Sequence, residues 1–207
     1  MGKIETATQW MIDLANDDSH GYDQDSRWGP DYDCSSSVIS AWQYAGVPVK
    51  TKGASSTYDM KNVFLSCGFT NVISSVNVST GAGLKRGDVL HRSGHTAMYI
   101  GNNKQVAAHL NEKGTTKGGK TGDQTGKEIS VSAYSNSSSN PWTAVLRYTA
   151  EAETTPTQPT TKAGEWIQGS NGKWWYRHTD GTCTKSDWEL IDGSWYYFDA
   201  DGWMMTG

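Results

Sequence analysis

Two stretches of the 207-residue chain hold side chains suited to covalent chemistry: Asp33-Cys34-Ser35-Ser36-Ser37 and Gly94-His95-Thr96-Ala97-Met98-Tyr99-Ile100-Gly101. The thiolate is the nucleophilic form of cysteine, and the partial positive charge at a helix N-terminus favours it. Cys34 follows Asp33, a good N-cap residue, and opens a segment that carries Val38, Ile39, Ala41, Trp42 and Ala45 at helical spacing. His95 opens an alternating segment, and His109 lies in a second one reached through Gly101-Asn102-Asn103. If those two segments pair, the imidazoles fall near each other. A thiol, a base and an orienting group then make a triad. Position alone also allows a plainer reading, with Cys34 as a small core residue and each histidine as a satisfied structural group.

These residues need elements to position them. The spacing predicts an amphipathic helix over residues 4–15, a second over 34–45 ended by Gly46, and a third over 56–66. Residues 16–33 and the Gly, Lys and Thr-rich 111–127 read as loops. Short strands are expected over 88–91, 96–100, 105–110 and 144–148. Helices first and strands second indicate an α+β domain, N-terminal helices packed on an antiparallel sheet.

Tyr32-Asp33-Cys34-Ser35-Ser36, Leu84-Lys85-Arg86-Gly87-Asp88-Val89-Leu90, Gly94 to Gly101 and then His109 occur in this order. This succession resembles the NlpC-type cysteine peptidases, papain-like hydrolases of bacterial peptidoglycan, and within them the phage amidase branch. The resemblance implies Cys34 as nucleophile, His95 as general base then acid, and His109 as the group that orients His95. It implies substrate-binding or oxyanion-stabilising roles for Asp33, Ser35 and Tyr22. The bond it favours is the N-acetylmuramoyl–L-Ala amide; cleavage between D-Glu and the diamino acid of the stem peptide is the alternative within the fold. A non-catalytic wall-binding protein is the alternative outside it. Ala97 departs from the glycine commoner in the family.

Residues 150–163 lack any aliphatic side chain larger than Ala and contain Pro156 and Pro159, which reads as a linker between domains at 1–149 and 164–207. Six of the ten tryptophans lie beyond it. Trp166, Gly172, Trp174, Trp175, Tyr176, Asp180 and Gly181 recur 21 to 22 residues later as Trp188, Gly193, Trp195, Tyr196, Tyr197, Asp201 and Gly202. Each unit reads as a β-hairpin. Two fall short of the roughly three repeats a stack usually needs, which points to a truncated tail or to self-association. The units resemble choline-binding cell-wall repeats. Trp174, Tyr176, Trp188 and Trp195 are the candidate cage for choline or another wall group, held by cation–π contacts.

Net charge is −4, with 14 basic and 13 acidic residues in 1–150 against 4 and 9 in the remainder, so nucleic acid is not an expected partner. No segment reads as a signal peptide or a membrane span. The chain is therefore expected to be made in the cytoplasm and to reach the wall through holin-type release. Gly114 to Thr121 fits the phosphate-loop pattern, but Gly122-Asp123-Gln124-Thr125-Gly126 will not form the helix that must follow it, and no apolar strand ending in Asp supplies the magnesium partner. Cys34, His95 and His109 are also zinc-ligand types, but the resemblance argues against a metal, and no cofactor is expected. Three cysteines at wide spacing give no disulfide framework.

Overall fold

The computed structural model describes residues 2–150, 164–185, 187–191 and 194–205, with backbone alone for 187, 188, 190, 194 and 195. The chain divides into two compact units, Met1–Glu151 and Ala152–Gly207. Apart from Ala150, the expected linker lies outside the described residues.

The first unit is a mixed α+β domain. Helices α1 (Lys3–Ala15), α2 (Cys34–Tyr44) and α3 (Met60–Ser66) precede all the strands of a six-stranded sheet. The strands are β1 (Phe69–Asn71), β2 (Val89–Arg92), β3 (His95–Gly101), β4 (Lys104–Ala108), β5 (Ile129–Ala133) and β6 (Ala144–Tyr148). They lie in the order β1-β6-β2-β3-β4-β5, and every neighbouring pair is antiparallel. The four strands expected from sequence are present within a residue or two. β1 and β5, at the two edges, are additions to that expectation. α3 starts later than the pattern suggested, because Asp59 accepts hydrogen bonds from Ser55 N and Ser56 N and holds the preceding residues in a turn.

Strand alternation divides the side chains between two apolar clusters. Val89, Met98, Ile100, Val106 and Leu146 pack with Met11, Val38, Ile39 and Trp42 of the helices. Leu90, Ala97, Tyr99, Ala107 and Val145 pack with Trp142 on the other face. Trp42 is fully buried and meets Phe69 edge-on at 4.7 Å, which anchors α2 to the sheet. Burying a side chain of this kind contributes about 1.5–3 kcal/mol.

The Lys85-Arg86-Gly87-Asp88 turn joins helix to sheet. Arg86 forms a two-pronged ion pair with Glu5 of α1 and donates to the Ile100 carbonyl of β3 at 2.6 Å. Buried Asp88 receives both prongs of Arg147 at 2.8 and 2.6 Å. Gly87 has φ +86°, and a Cβ there would meet Ile4 at 2.7 Å, so both backbone and packing require glycine.

The second unit holds two hairpins. β7 (Gly164–Gln168) pairs with β8 (Trp174–His178), and β9 (Asp187–Ile191) with β10 (Ser194–Phe198). They share a small core of Tyr176, Ile191 and Phe198. His178 joins them through Glu189 at 2.8 Å. Among the described residues no helix is long and apolar enough to cross a membrane.

Candidate active site and repeat cavity

Cys34 is the first residue of α2, and Asp33 is its cap. The Asp33 carboxylate accepts from Ser35 N at 2.9 Å, Ser36 N at 2.7 Å and Ser35 Oγ at 2.9 Å. Ser36 Oγ accepts from Asp33 N in return, closing a capping box. The other carboxylate oxygen meets Arg27 at 2.7 Å. Asp33 and Ser35 are both buried, and their polar groups are spent on one another and on the helix start. With Ser37 N bonded to the Asp33 carbonyl, Cys34 N–H is the one early amide of α2 without an acceptor among the described residues.

The thiol lies against β3, where backbone hydrogen bonds from Thr96 and Ser35 favour its anion. Burial opposes them, and so does the Asp33 carboxylate; together they push the thiol up to about 11. Helix-start geometry is therefore present, but the lowered thiol pKa that it suggests is not. At neutral pH the sulfur carries its proton.

His95 is the residue before Thr96 and opens β3. The register Met98↔Val106, carried to the strand ends, sets His95 opposite His109, one residue past β4. His109 N still bonds to the Glu128 carbonyl at 2.7 Å, so the ladder continues past the last formal strand residue. The turn is Asn102-Asn103, both at positive φ, a conformation asparagine tolerates. The two rings lie 5.9 Å apart at 33°. Among the described residues no hydrogen bond links them, and none links the His95 ring to the thiol. Burial lowers His95 to about 4, helped by His109 and Arg92, and burial lowers His109 as well. Both rings are neutral at pH 7.

Tyr22 comes from the 16–33 loop. It is buried with Leu14, Ala108 and Ile129, and accepts from Gln24 Nε2 at 3.1 Å, leaving its own hydrogen to donate. Burial, then the nearby Cys34, push its hydroxyl up to about 12. The loop expected at 111–127 is tied to this one rather than free in solvent. Buried Asp31 accepts from Gly21 N at 2.8 Å and Gly122 N at 2.9 Å, and Gln24 N bonds to the Thr116 carbonyl at 3.0 Å. A Cβ on Gly21 would fall 2.2 Å from the Gly122 carbonyl oxygen. The phosphate-loop pattern at 114–121 lies within this loop, separated from β4 by residues 109–113 and followed by β5 rather than a helix.

Two residues at the site escaped the sequence reading. The Trp142 ring stacks on His95 with centroids 5.8 Å apart at 21°, and Arg92 lies over the Trp142 ring at 4.8 Å. Pro141-Trp142 in a Ser and Asn-rich loop was the available signal. Among the described residues there is no cluster of three His, Cys, Asp or Glu side chains that could hold a metal.

In the second unit Trp166, Trp174, Tyr196 and Met204 line a cavity of about 340 Å³. Trp174 is among the expected cage residues. Tyr176 is not part of this cavity: it is buried in the hairpin core opposite Trp166, covered by Ile191 and Phe198. The side chains of Trp188 and Trp195 lie outside the described residues.

The fold and this pair of sites define a two-part protein, one part with a thiol-and-imidazole site and the other with an aromatic-lined cavity. Residues 29–106 and 105–163 match the family model of the endolysin-like domain, and residues 186–204 match that of a choline-binding-type cell wall binding repeat. The chain belongs to the endolysin-like domain family, and it carries a cell-wall-binding repeat. Comparison with curated proteins gives no match.

Proposed function

We propose that the chain is a papain-like, NlpC-type cysteine hydrolase of peptidoglycan and that it cleaves the N-acetylmuramoyl–L-alanine amide. The observation that carries the reading is Cys34 at the capped start of α2, lying against the strand that His95 opens, with His109 in register across from His95.

In this reading His95 is a base because it is neutral, and the thiol is a latent nucleophile because it is protonated. As sulfur attacks the amide carbonyl, its proton passes to the His95 ring, and the C–S bond forms as the carbonyl π bond opens. The unpaired Cys34 N–H and the Tyr22 hydroxyl stabilise the oxyanion. When the tetrahedral adduct collapses, His95 gives its proton to the departing nitrogen, and the C–N bond breaks. Water, deprotonated by His95, then hydrolyses the thioester and returns the proton to sulfur. His109 and Trp142 confine the His95 ring from two sides.

The repeat cavity supplies targeting. Its two tryptophans, tyrosine and thioether enclose a volume suited to a quaternary ammonium group, and we assign it to choline on the wall polymer. Cys34→Ala tests the catalytic assignment: lysis of purified walls should vanish with circular dichroism unchanged, and retained lysis would overturn it. Mass spectrometry of the digest identifies the bond. New free L-Ala amino termini support the amidase assignment; new diamino-acid amino termini replace it with the endopeptidase.

A further inference from the structure

A second cavity lies in the hydrolase unit. It encloses about 230 Å³ between α1 and the 16–33 loop, lined by Trp10, Asp13, Leu14, Asp17, His20 and Tyr32. Trp10 and Tyr32 meet at 88° with centroids 5.5 Å apart, and His20 approaches Tyr32 at 5.9 Å. Three rings thus wall a space into which two carboxylates reach. A ring face attracts cations, and a carboxylate adds directional acceptors.

The polar groups show what is missing. His20 Nδ1 is 2.6 Å from the Pro30 carbonyl. A carbonyl only accepts, so Nδ1 carries the hydrogen, and in the neutral ring Nε2 presents a lone pair. That lone pair lies 3.7 Å from Asp17 Oδ2. The separation is too long for a hydrogen bond, and Ser19 N already occupies the other carboxylate oxygen, Asp17 Oδ1, at 3.0 Å. A single ammonium group could donate to both Nε2 and Oδ2. Tyr32 also ties this cavity to the thiol: it lies two residues before Cys34, and its N–H bonds to the Gly21 carbonyl beside Tyr22.

We infer that this cavity is a binding site for an alkylammonium group. Two wall components carry that chemistry, the side-chain amine of a lysine-type stem peptide and the choline headgroup of the wall polymer. Naming them rests on the proposed function; the ammonium preference does not.

The test uses the full chain carrying Cys34→Ala, so that nothing is cleaved, in calorimetric titrations. The probes are L-Ala-γ-D-Glu-L-Lys, the same tripeptide with its lysine amine acetylated, and choline chloride. At least one ammonium probe should lose binding in Asp17→Asn with Asp13→Asn, both exposed and isosteric changes, and again in Trp10→Leu. If the stem amine is the ligand, the free tripeptide binds roughly tenfold tighter than the acetylated one and the variants erase the difference. If choline is the ligand, the variants lose one class of choline site while the repeat cavity keeps its own. The inference is overturned if the two tripeptides bind alike in every chain and choline binding is the same in all of them, or if a preference for the free amine survives the variants. Because no catalysis is read, such a failure leaves the assignment of Cys34 untouched, and retained lysis by Cys34→Ala would leave the cavity untouched.

Discussion

Replacing Trp142 should move the acid limit of activity without changing either proposed reacting group. Burial is the largest cause of the low His95 pKa, and Trp142 supplies one stacked wall of that burial. Trp142→Leu keeps the site apolar but opens the ring face to water, and it frees Arg92 from the ring it lies over. His95 should return most of the way from about 4 towards its ordinary 6.5. For a base with a pKa of about 4, roughly nine-tenths is neutral at pH 5; at a pKa of about 6 only roughly one-tenth is. The variant should therefore lose about tenfold in kcat/KM at pH 5 relative to wild type, and nothing from this cause at pH 8. The assay is the rate of turbidity loss of purified walls from pH 4 to 9, expressed as the variant-to-wild-type ratio on one wall preparation, so that titration of the wall cancels. Proton NMR of the histidine ring hydrogens gives the pKa directly. Losing a buried indole costs about 2–4 kcal/mol, so folding is verified by circular dichroism at each pH. A ratio that stays flat between pH 5 and 8 while the His95 resonance titrates near 6 would refute His95 as the base. A wild-type resonance that already titrates at 6.5 would refute the buried, neutral pair.

The same shift has a stability consequence. His95 is harder to protonate folded than unfolded, so its contribution is fully present above about 6.5 and is lost as pH falls through about 4. It is worth on the order of 3 kcal/mol, read as the urea-unfolding difference between wild type and His95→Gln at pH 7.5 and 4. Asp33→Ala removes the α2 cap and strands Arg27, and should cost about 3 kcal/mol in chemical denaturation, with Asp33→Asn milder because the amide oxygen still caps. In the repeat unit Trp174→Ala should weaken choline binding about tenfold in a fluorescence titration with little change in unfolding. Tyr176→Ala should instead destabilise the unit by about 3–5 kcal/mol, seen as an earlier thermal transition.

Tyr176 and Trp174 show where sequence reading stops. They are two apart on β8 and share a face, so alternation cannot separate them. Position along the hairpin does: Tyr176 pairs opposite Trp166 and is covered by Ile191 and Phe198, whereas Trp174 lies at the turn end and stays 40% exposed. The helices and inner strands were legible because each has its own periodicity and turn residues, as in Asp33 before α2 and Asn102-Asn103 after β3. β1 has three residues, too few for a period to register, and is defined by pairing Phe69 with Tyr148. β5 alternates Ile129 and Val131 with serines, but it follows a long polar loop and acquires its identity from β4. Trp142 reaches His95 only because β6 pairs with β2 and leads the 134–143 loop back over the site, a long-range fact with no local trace.

Asp33 carries two opposed consequences at the proposed nucleophile. Its carboxylate starts the helix that presents Cys34, and it holds Ser35 N and Ser36 N in doing so. The same negative charge, beside a buried sulfur, raises the cost of forming a thiolate. Arg27 sets the balance: paired with the outer carboxylate oxygen at 2.7 Å, it neutralises the cap and also lowers the thiol pKa. The cap therefore keeps its geometric role while most of its charge is answered, yet the thiol remains well above neutrality. On the proposed mechanism, a site built this way withholds the thiolate until an amide carbonyl is present to take the charge and a neutral His95 to take the proton. Arg27→Ala should accordingly lower kcat more than it raises KM, because the unanswered Asp33 charge opposes the developing anion in the transition state and not the bound ground state. A change confined to KM would place Arg27 among the groups that bind substrate instead.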